Sequence, residues 1–283
     1  MYLNRFRHYC RHRHIDTFGP VKFHRRPPGA TVVVMELIAS TGLPQLLLVA
    51  AVVVFAAVLR AFTGFGFGLA AVPVFALLMS PEEAVVLSVS LTLAVSLLTV
   101  KTYWGQAPLR PMAGMLLLAL VGTVIGAGLL AVISPREFRL WIGIAVILAC
   151  FALGYYRPGR QRPGAALGGL AGFGAGLLNG AFAIPGPPVI IYTMATEPDP
   201  ARSRAFLLTF FLFMAGAGLL TYAVAGFVTA ASPLYFLLAF PAMFVGDKLG
   251  YRLFQRYGTA GYRRVALVLL FVLGVAITAE ALW

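Results

Sequence analysis

After residue 43 the sequence is a run of apolar blocks, roughly 17 to 38 residues each, joined by short basic or Pro/Gly-containing segments. Helices that cross about 30 Å of hydrocarbon require this pattern, because every backbone polar group must be satisfied within its own segment. The joints are too short to hold a separate soluble domain. Composition agrees: 60% of the 283 residues are hydrophobic and 11% charged, with a mean hydropathy of +0.90, against about half apolar and a quarter charged in a soluble domain. The expected fold is an all-α integral membrane protein.

The formal charge of +13 would suggest nucleic acid in a soluble protein. Here the basic residues flank apolar blocks, as they do in cytoplasmic loops of membrane proteins, so the expected environment is the lipid bilayer and no nucleic acid. Residues 1–36 form a basic tail containing all four histidines. Two readings stand for it: a metal- or anionic-lipid-binding tail, or an initiation site assigned too early, with Met35 the natural start. Without residues 1–34 the net charge falls to +7. Cys10 and Cys150 are the only cysteines, and they offer no disulfide framework or structural zinc site.

The blocks divide into two related halves, 37–160 and 161–283, with four segments in each: 43–80, 84–103, 111–132 and 138–156, then 164–196, 204–228, 233–249 and 262–282. The first segment of each half is too long for one crossing; residues 43–80 as a single rod would reach nearly 60 Å. Glycine and proline break both: Thr63-Gly64-Phe65-Gly66-Phe67-Gly68 and Pro73 in the first, then Gly172-Phe173-Gly174, Asn179-Gly180 and Pro185-Gly186-Pro187-Pro188 in the second. Breaks at corresponding positions of two halves point to a binding site built from discontinuous helices. The halves also align directly, since Gly122 to Gly126 with Phe138-Arg139 and Gly246 to Gly250 with Tyr262-Arg263 share an offset of 124. Each GxxxG also reads simply as close helix packing.

If each broken segment is a hairpin, the chain crosses ten times, five per half, and the halves are inverted. With the N-terminus outside, twelve of the fourteen Arg and Lys residues after position 100 then lie inside, leaving Arg136 and Arg139 outside. If each broken segment crosses once, there are eight crossings and nine of the fourteen lie inside. Both counts favour a periplasmic N-terminus.

Little in the sequence supports an enzyme. No histidine follows His24, the carboxylates cluster at block ends, and no nucleophile, phosphate loop or metal-ligand set is recognisable. No cofactor or metal is expected. A transport site is better supplied. A helix restarted after an unwound glycine segment presents free N–H groups and a partial positive charge, which suits a small anion. The restarts fall near Gly66 to Leu69 and Gly186 to Val189, where Pro187 wastes no hydrogen bond. Thr63, Gly64, Gly66, Gly68, Asn179, Gly180, Gly186 and Pro187 are therefore the candidate substrate residues. Phe62, Phe65, Phe67, Phe173 and Phe182 are candidates for a dry gate or for plain packing. Arg60 is either an interfacial snorkelling residue or an anion attractant at an entrance, and Asp247 either a coupling carboxylate or an interfacial ion-pair partner of Lys248.

Thr63 through Pro73, followed by Pro81-Glu82-Glu83-Ala84-Val85, resembles the TauE/SafE sulfite exporter family, as do Gly172 through Tyr192 and Gly246 to Gly250 in the second half. The resemblance covers about residues 40–283, with Phe67 where the family carries glycine, and Ile184-Pro185-Gly186-Pro187 where it carries Gly-Gly-Gly-Pro. It implies an inner-membrane permease that moves sulfite, sulfoacetate or other organosulfur anions, usually outward. A carrier or channel for another solute and a non-transporting assembly partner are the alternatives. Oligomeric state is left open.

Overall fold

The structure is a computed structural model that describes residues 42–63, 66–107, 109–155, 164–257 and 260–283. The basic tail, the 156–163 joint and Gly64 lie outside the described residues. Among these residues the chain forms ten α-helices and no strands: α1 Leu43–Thr63, α2 Phe67–Leu78, α3 Pro81–Leu98, α4 Leu109–Leu130, α5 Pro135–Gly154, α6 Ala165–Phe182, α7 Gly186–Thr196, α8 Pro200–Val224, α9 Ser232–Tyr257 and α10 Ala260–Leu282. Six of them are long and apolar enough to span a membrane.

The four segments expected in each half are thus five helices, because each first segment is split in two. Both splits are hairpins. The Gln45 side chain donates to the Leu78 carbonyl, which ties the start of α1 to the end of α2. Gly168 and Gly174 of α6 face Tyr192 and Pro188 of α7 in reversed order. At 12 and 11 residues, α2 and α7 are about 16–18 Å long and reach only partway through the hydrocarbon.

Carboxylates set several helix starts. Ser80 and Glu83 form a capping box ahead of α3, Ser134 and Glu137 another ahead of α5, and Asp199 accepts from Ala201 N–H at α8. Each satisfies amides that have no partner within the helix and favours the positive helix end. The block-end carboxylates Glu83, Glu137 and Asp199 are therefore accounted for as caps.

Small residues dictate the helix pairs. A Cβ on Gly176 would lie 2.0 Å from the Ala119 carbonyl, and one on Gly180 2.0 Å from that of Thr123, so α6 lies backbone to backbone on α4. Gly122 and Gly126 complete the contact against Phe173 and Leu177. In the other half Gly246 and Gly250 of α9 meet Val54 and Val58 of α1 in the same sense. These are parallel pairs, α4 with α6 and α9 with α1, and exchanging the halves converts one into the other. The pairs α5–α10 and α3–α8 are antiparallel and map onto themselves. Equivalent positions in the first three helices differ by a constant 119: the helix ends Thr63 and Phe182, and the helix starts Phe67 and Gly186, Pro81 and Pro200.

The helices alternate in direction, so the two five-helix halves are inverted repeats. The end reached by the C-termini of α1 and α3 carries Lys101, Arg202, Arg204, Arg252 and Arg256. At the opposite end Arg136 donates to the Ala281 and Leu282 carbonyls that close α10, and Arg139 pairs with Glu280 at 3.2 Å. The two exceptions to the charge bias are thus engaged in holding α5 to α10.

Candidate functional site

Where the two hairpins turn, their tips meet. A Cβ on Gly68 of α2 would stand 2.4 Å from the Ala183 carbonyl at the end of α6. Ala183 itself adopts the left-handed conformation, φ 56°, which costs a non-glycine residue about 1–2 kcal/mol. It is held there by bonds from its N–H to the Asn179 carbonyl (2.8 Å) and from Ile184 N–H to that of Leu178 (3.2 Å). Gly66 turns the first break at φ 96°, a conformation glycine adopts freely.

Between the tips lies a cavity of about 50 Å³ whose wall includes Gly66, Phe67, Gly68, Pro185, Gly186 and Arg60. Polar edges come from Thr92 and Ser96 of α3, and Phe211 of α8 closes the apolar side. The two helix starts contribute unequally. The first i→i−4 bond of α2 is Ala70 N–H to Gly66 O (3.1 Å), so the amides of Phe67, Gly68 and Leu69 precede it. In the first turn of α7, Pro187 and Pro188 carry no N–H, which leaves Gly186 as its amide at the break. Backbone donors for an anion come chiefly from the first half.

A second cavity of about 410 Å³ adjoins the first and opens at the basic end. Arg60 and Leu208 line both, so Arg60 stands where the outer chamber meets the inner one. Its guanidinium is buried, and Nη1 donates to Asp247 Oδ1 at 3.2 Å. Arg204 and Tyr103 stand in the outer wall, with the Tyr103 hydroxyl donating to the Ser96 carbonyl at 2.6 Å. Neither Arg60 nor Asp247 occupies the setting read for it alone. Arg60 is buried at a chamber boundary rather than snorkelling, and its partner is Asp247, whereas Lys248 lies over the Phe244 ring at 4.4 Å.

The candidate residues separate into two groups. Gly66, Gly68, Gly186, Pro187, Phe67, Arg60 and Asp247 gather at the breaks and chambers. Asn179 and Gly180 lie one turn before the second break, within the α6–α4–α8 contact. The Asn179 amide donates to the Met214 carbonyl (3.1 Å) and reaches Thr123 Oγ1 (3.5 Å). Thr63 ends α1, with its side chain outside the described residues, as are those of Phe62 and Phe65. Of the aromatic candidates Phe67 lines the cavity, Phe182 packs on Phe138 with ring centres 5.4 Å apart, and Phe173 is partly exposed.

Sequence reading passed over Tyr222, Thr92, Ser96, Tyr103 and Arg204. Tyr222 is fully buried, and its hydroxyl donates to the carbonyls of Asn179 (2.6 Å), which also accepts from Ala183 N–H, and Gly180 (3.1 Å) at the end of α6. A buried tyrosine some 40 residues past a break gives no local signal. Among the described residues no cluster of three or more His, Cys, Asp or Glu side chains could hold a metal.

Inverted five-helix halves whose broken first segments meet at an internal cavity are the architecture of multi-pass membrane transporters, which build their sites at such repeat interfaces. The family pattern described as Sulfite exporter TauE/SafE matches residues 49–277, and the chain belongs to that family. Its members are exporters and not enzymes. The chain is similar to the probable sulfite/organosulfonate exporter TauE of Cupriavidus necator, 27% identical over 226 residues, covering 78% of this chain and 88% of that protein. No solved structure matches.

Proposed function

We propose that this chain is an inner-membrane permease that takes a small sulfur-containing anion, sulfite or an organosulfonate, from the cytoplasm and releases it outward. One observation carries the reading: the 410 Å³ chamber opens at the basic end and leads past Arg60 to the 50 Å³ cavity between the two helix breaks. Positive flanks mark the cytoplasmic side, so the open chamber faces the compartment from which an exporter loads. The similarity to an exporter named for sulfite and organosulfonates supports the substrate class. The anion meets the Arg60 guanidinium and the α2 amides, and Gly66, Gly68, Gly186 and Pro187 shape the seat.

Flux of labelled sulfite and methanesulfonate from proteoliposomes tests this. Gly66→Leu forces a side chain into a left-handed position, and Gly186→Leu fills the cavity beside Ile190 and Phe211, 3.4 and 3.9 Å from a Cβ there. Both variants are expected to insert normally and to lose transport. Undiminished flux through both would reject the site.

A further inference from the structure

The charges lining the two chambers count the charge of the ligand. Among the described lining residues, the inner cavity holds the guanidinium of Arg60 and the outer chamber those of Arg60 and Arg204, together with the Asp247 carboxylate. Two cations against one anion leave a single net positive charge along the path.

Packing alone does not demand this arrangement, and the molecule contains its own control. With the offset of 119 in the first three helices, Arg60 corresponds to Asn179. With the offset of 124 between the two GxxxG stretches, Asp247 corresponds to Thr123. Asn179 reaches Thr123 across α6 and α4 as Arg60 reaches Asp247 across α1 and α9, at 3.5 and 3.2 Å. The equivalent helix pair is thus joined by an uncharged contact. The charged pair is an addition: Arg60 borders both chambers and Asp247 the outer one.

We infer that Asp247 sets the valence of the transported anion: by cancelling one of the two guanidiniums that line the path, it makes the site selective for monoanions over dianions of the same shape. This rests on the anion-permease reading above. A dianion would carry one unbalanced negative charge into a region shielded from water, where a unit charge a few ångströms away weighs far more than in solution. A monoanion leaves none. Sulfonates carrying one charge, and hydrogen sulfite, fit the count; sulfate, the doubly charged form of sulfite and sulfoacetate, whose ionised carboxylate adds a second charge to its sulfonate, do not.

Methanesulfonate and sulfate are nearly isosteric and differ by one charge, so their binding to the purified full chain, measured by titration calorimetry, isolates valence from size. The wild-type protein is expected to bind methanesulfonate about tenfold or more tighter than sulfate, a difference of about 1.4 kcal/mol. Asp247→Asn, with two uncancelled guanidiniums, is expected to close or reverse that ratio. Arg204→Gln, at an exposed position, is expected to weaken both anions. Should Asp247→Asn fail to fold, the Arg60→Asn, Asp247→Thr double variant places the uncharged pair at the charged one's position, and it is expected to fold and to bind neither anion. Equal wild-type affinity for the two anions, or a ratio untouched by Asp247→Asn in folded protein, would overturn the inference while leaving the permease reading in place. Folded wild-type protein that binds neither anion would overturn both.

Discussion

Arg60 Nη1 and Asp247 Oδ1 lie 3.2 Å apart across 187 residues of sequence, joining α1 to α9 where the two chambers meet. The Arg60 side chain is 9% exposed and that of Asp247 32%. Removing the carboxylate leaves a buried guanidinium without this partner, which costs about 3–5 kcal/mol for a fully buried pair. Partial exposure of Asp247 lowers the expected loss for Asp247→Ala to roughly 2–3 kcal/mol. Thermal unfolding of the detergent-purified single and double variants in a mutant cycle measures it, and a loss below about 0.5 kcal/mol would mean that the pair behaves as a solvated surface contact.

Tyr222→Phe deletes one oxygen and keeps the ring. Two carbonyls at the end of α6, those of Asn179 and Gly180, lose their hydroxyl donor in a fully buried setting. A destabilisation of about 1–3 kcal/mol is expected, together with faster hydrogen exchange of the Ala183 and Ile184 amides, because these hold the break. Unchanged exchange there would show that the hydroxyl does not secure the hairpin tip.

Gly180→Ala is expected to reduce the yield of folded protein sharply, since its new methyl would enter the Thr123 carbonyl at 2.0 Å and α4 would have to back away along its length. Gly216→Ala is the matched control, with nothing within 4 Å of its Cβ, and it should express as the wild type does or slightly better, because alanine favours helix by up to about 1 kcal/mol. Fluorescence-detected size-exclusion chromatography of the two variants distinguishes them. Equal profiles would remove the close packing of α6 on α4.

Lys101→Cys and Ala230→Cys test the orientation in a background with Cys10→Ser and Cys150→Ala. Both positions are exposed, Lys101 beside the outer chamber's end of α3 and Ala230 in the turn between α8 and α9. In intact cells an impermeant maleimide should label the Ala230→Cys variant and spare the Lys101→Cys variant, and the reverse should hold in inverted vesicles. The opposite result would place the open chamber on the outer face and reverse the proposed direction.

Membrane class and location of the breaks are both visible in the chain itself, because each depends on local chemistry. Apolar blocks of membrane length, Gly66 where φ is positive, Pro187 and Pro188 in the first turn of a helix, and Ser-Pro or Asp-Pro ahead of α3, α5 and α8 act within a few residues of where they stand. The equivalence of Gly122 with Gly246 is also there in the spacing, and it carries with it the equivalence of Thr123 and Asp247.

Tertiary structure decided the rest. That each first segment is a hairpin and not one crossing follows from Gln45 meeting Leu78 and from Gly168 and Gly174 meeting Tyr192 and Pro188; a glycine-rich break is compatible with a hairpin or a kink until its two arms find neighbours. The division between Gly68, which abuts the opposite break, and Gly180, which lies against α4, is likewise a matter of which helix arrives. Asn179 and Arg60 hold equivalent positions, yet one ties three helices together and the other borders two chambers. Burial and pairing belong to the assembled bundle: a polar side chain acquires its role from the groups that converge on it, and those groups come from segments far apart along the chain.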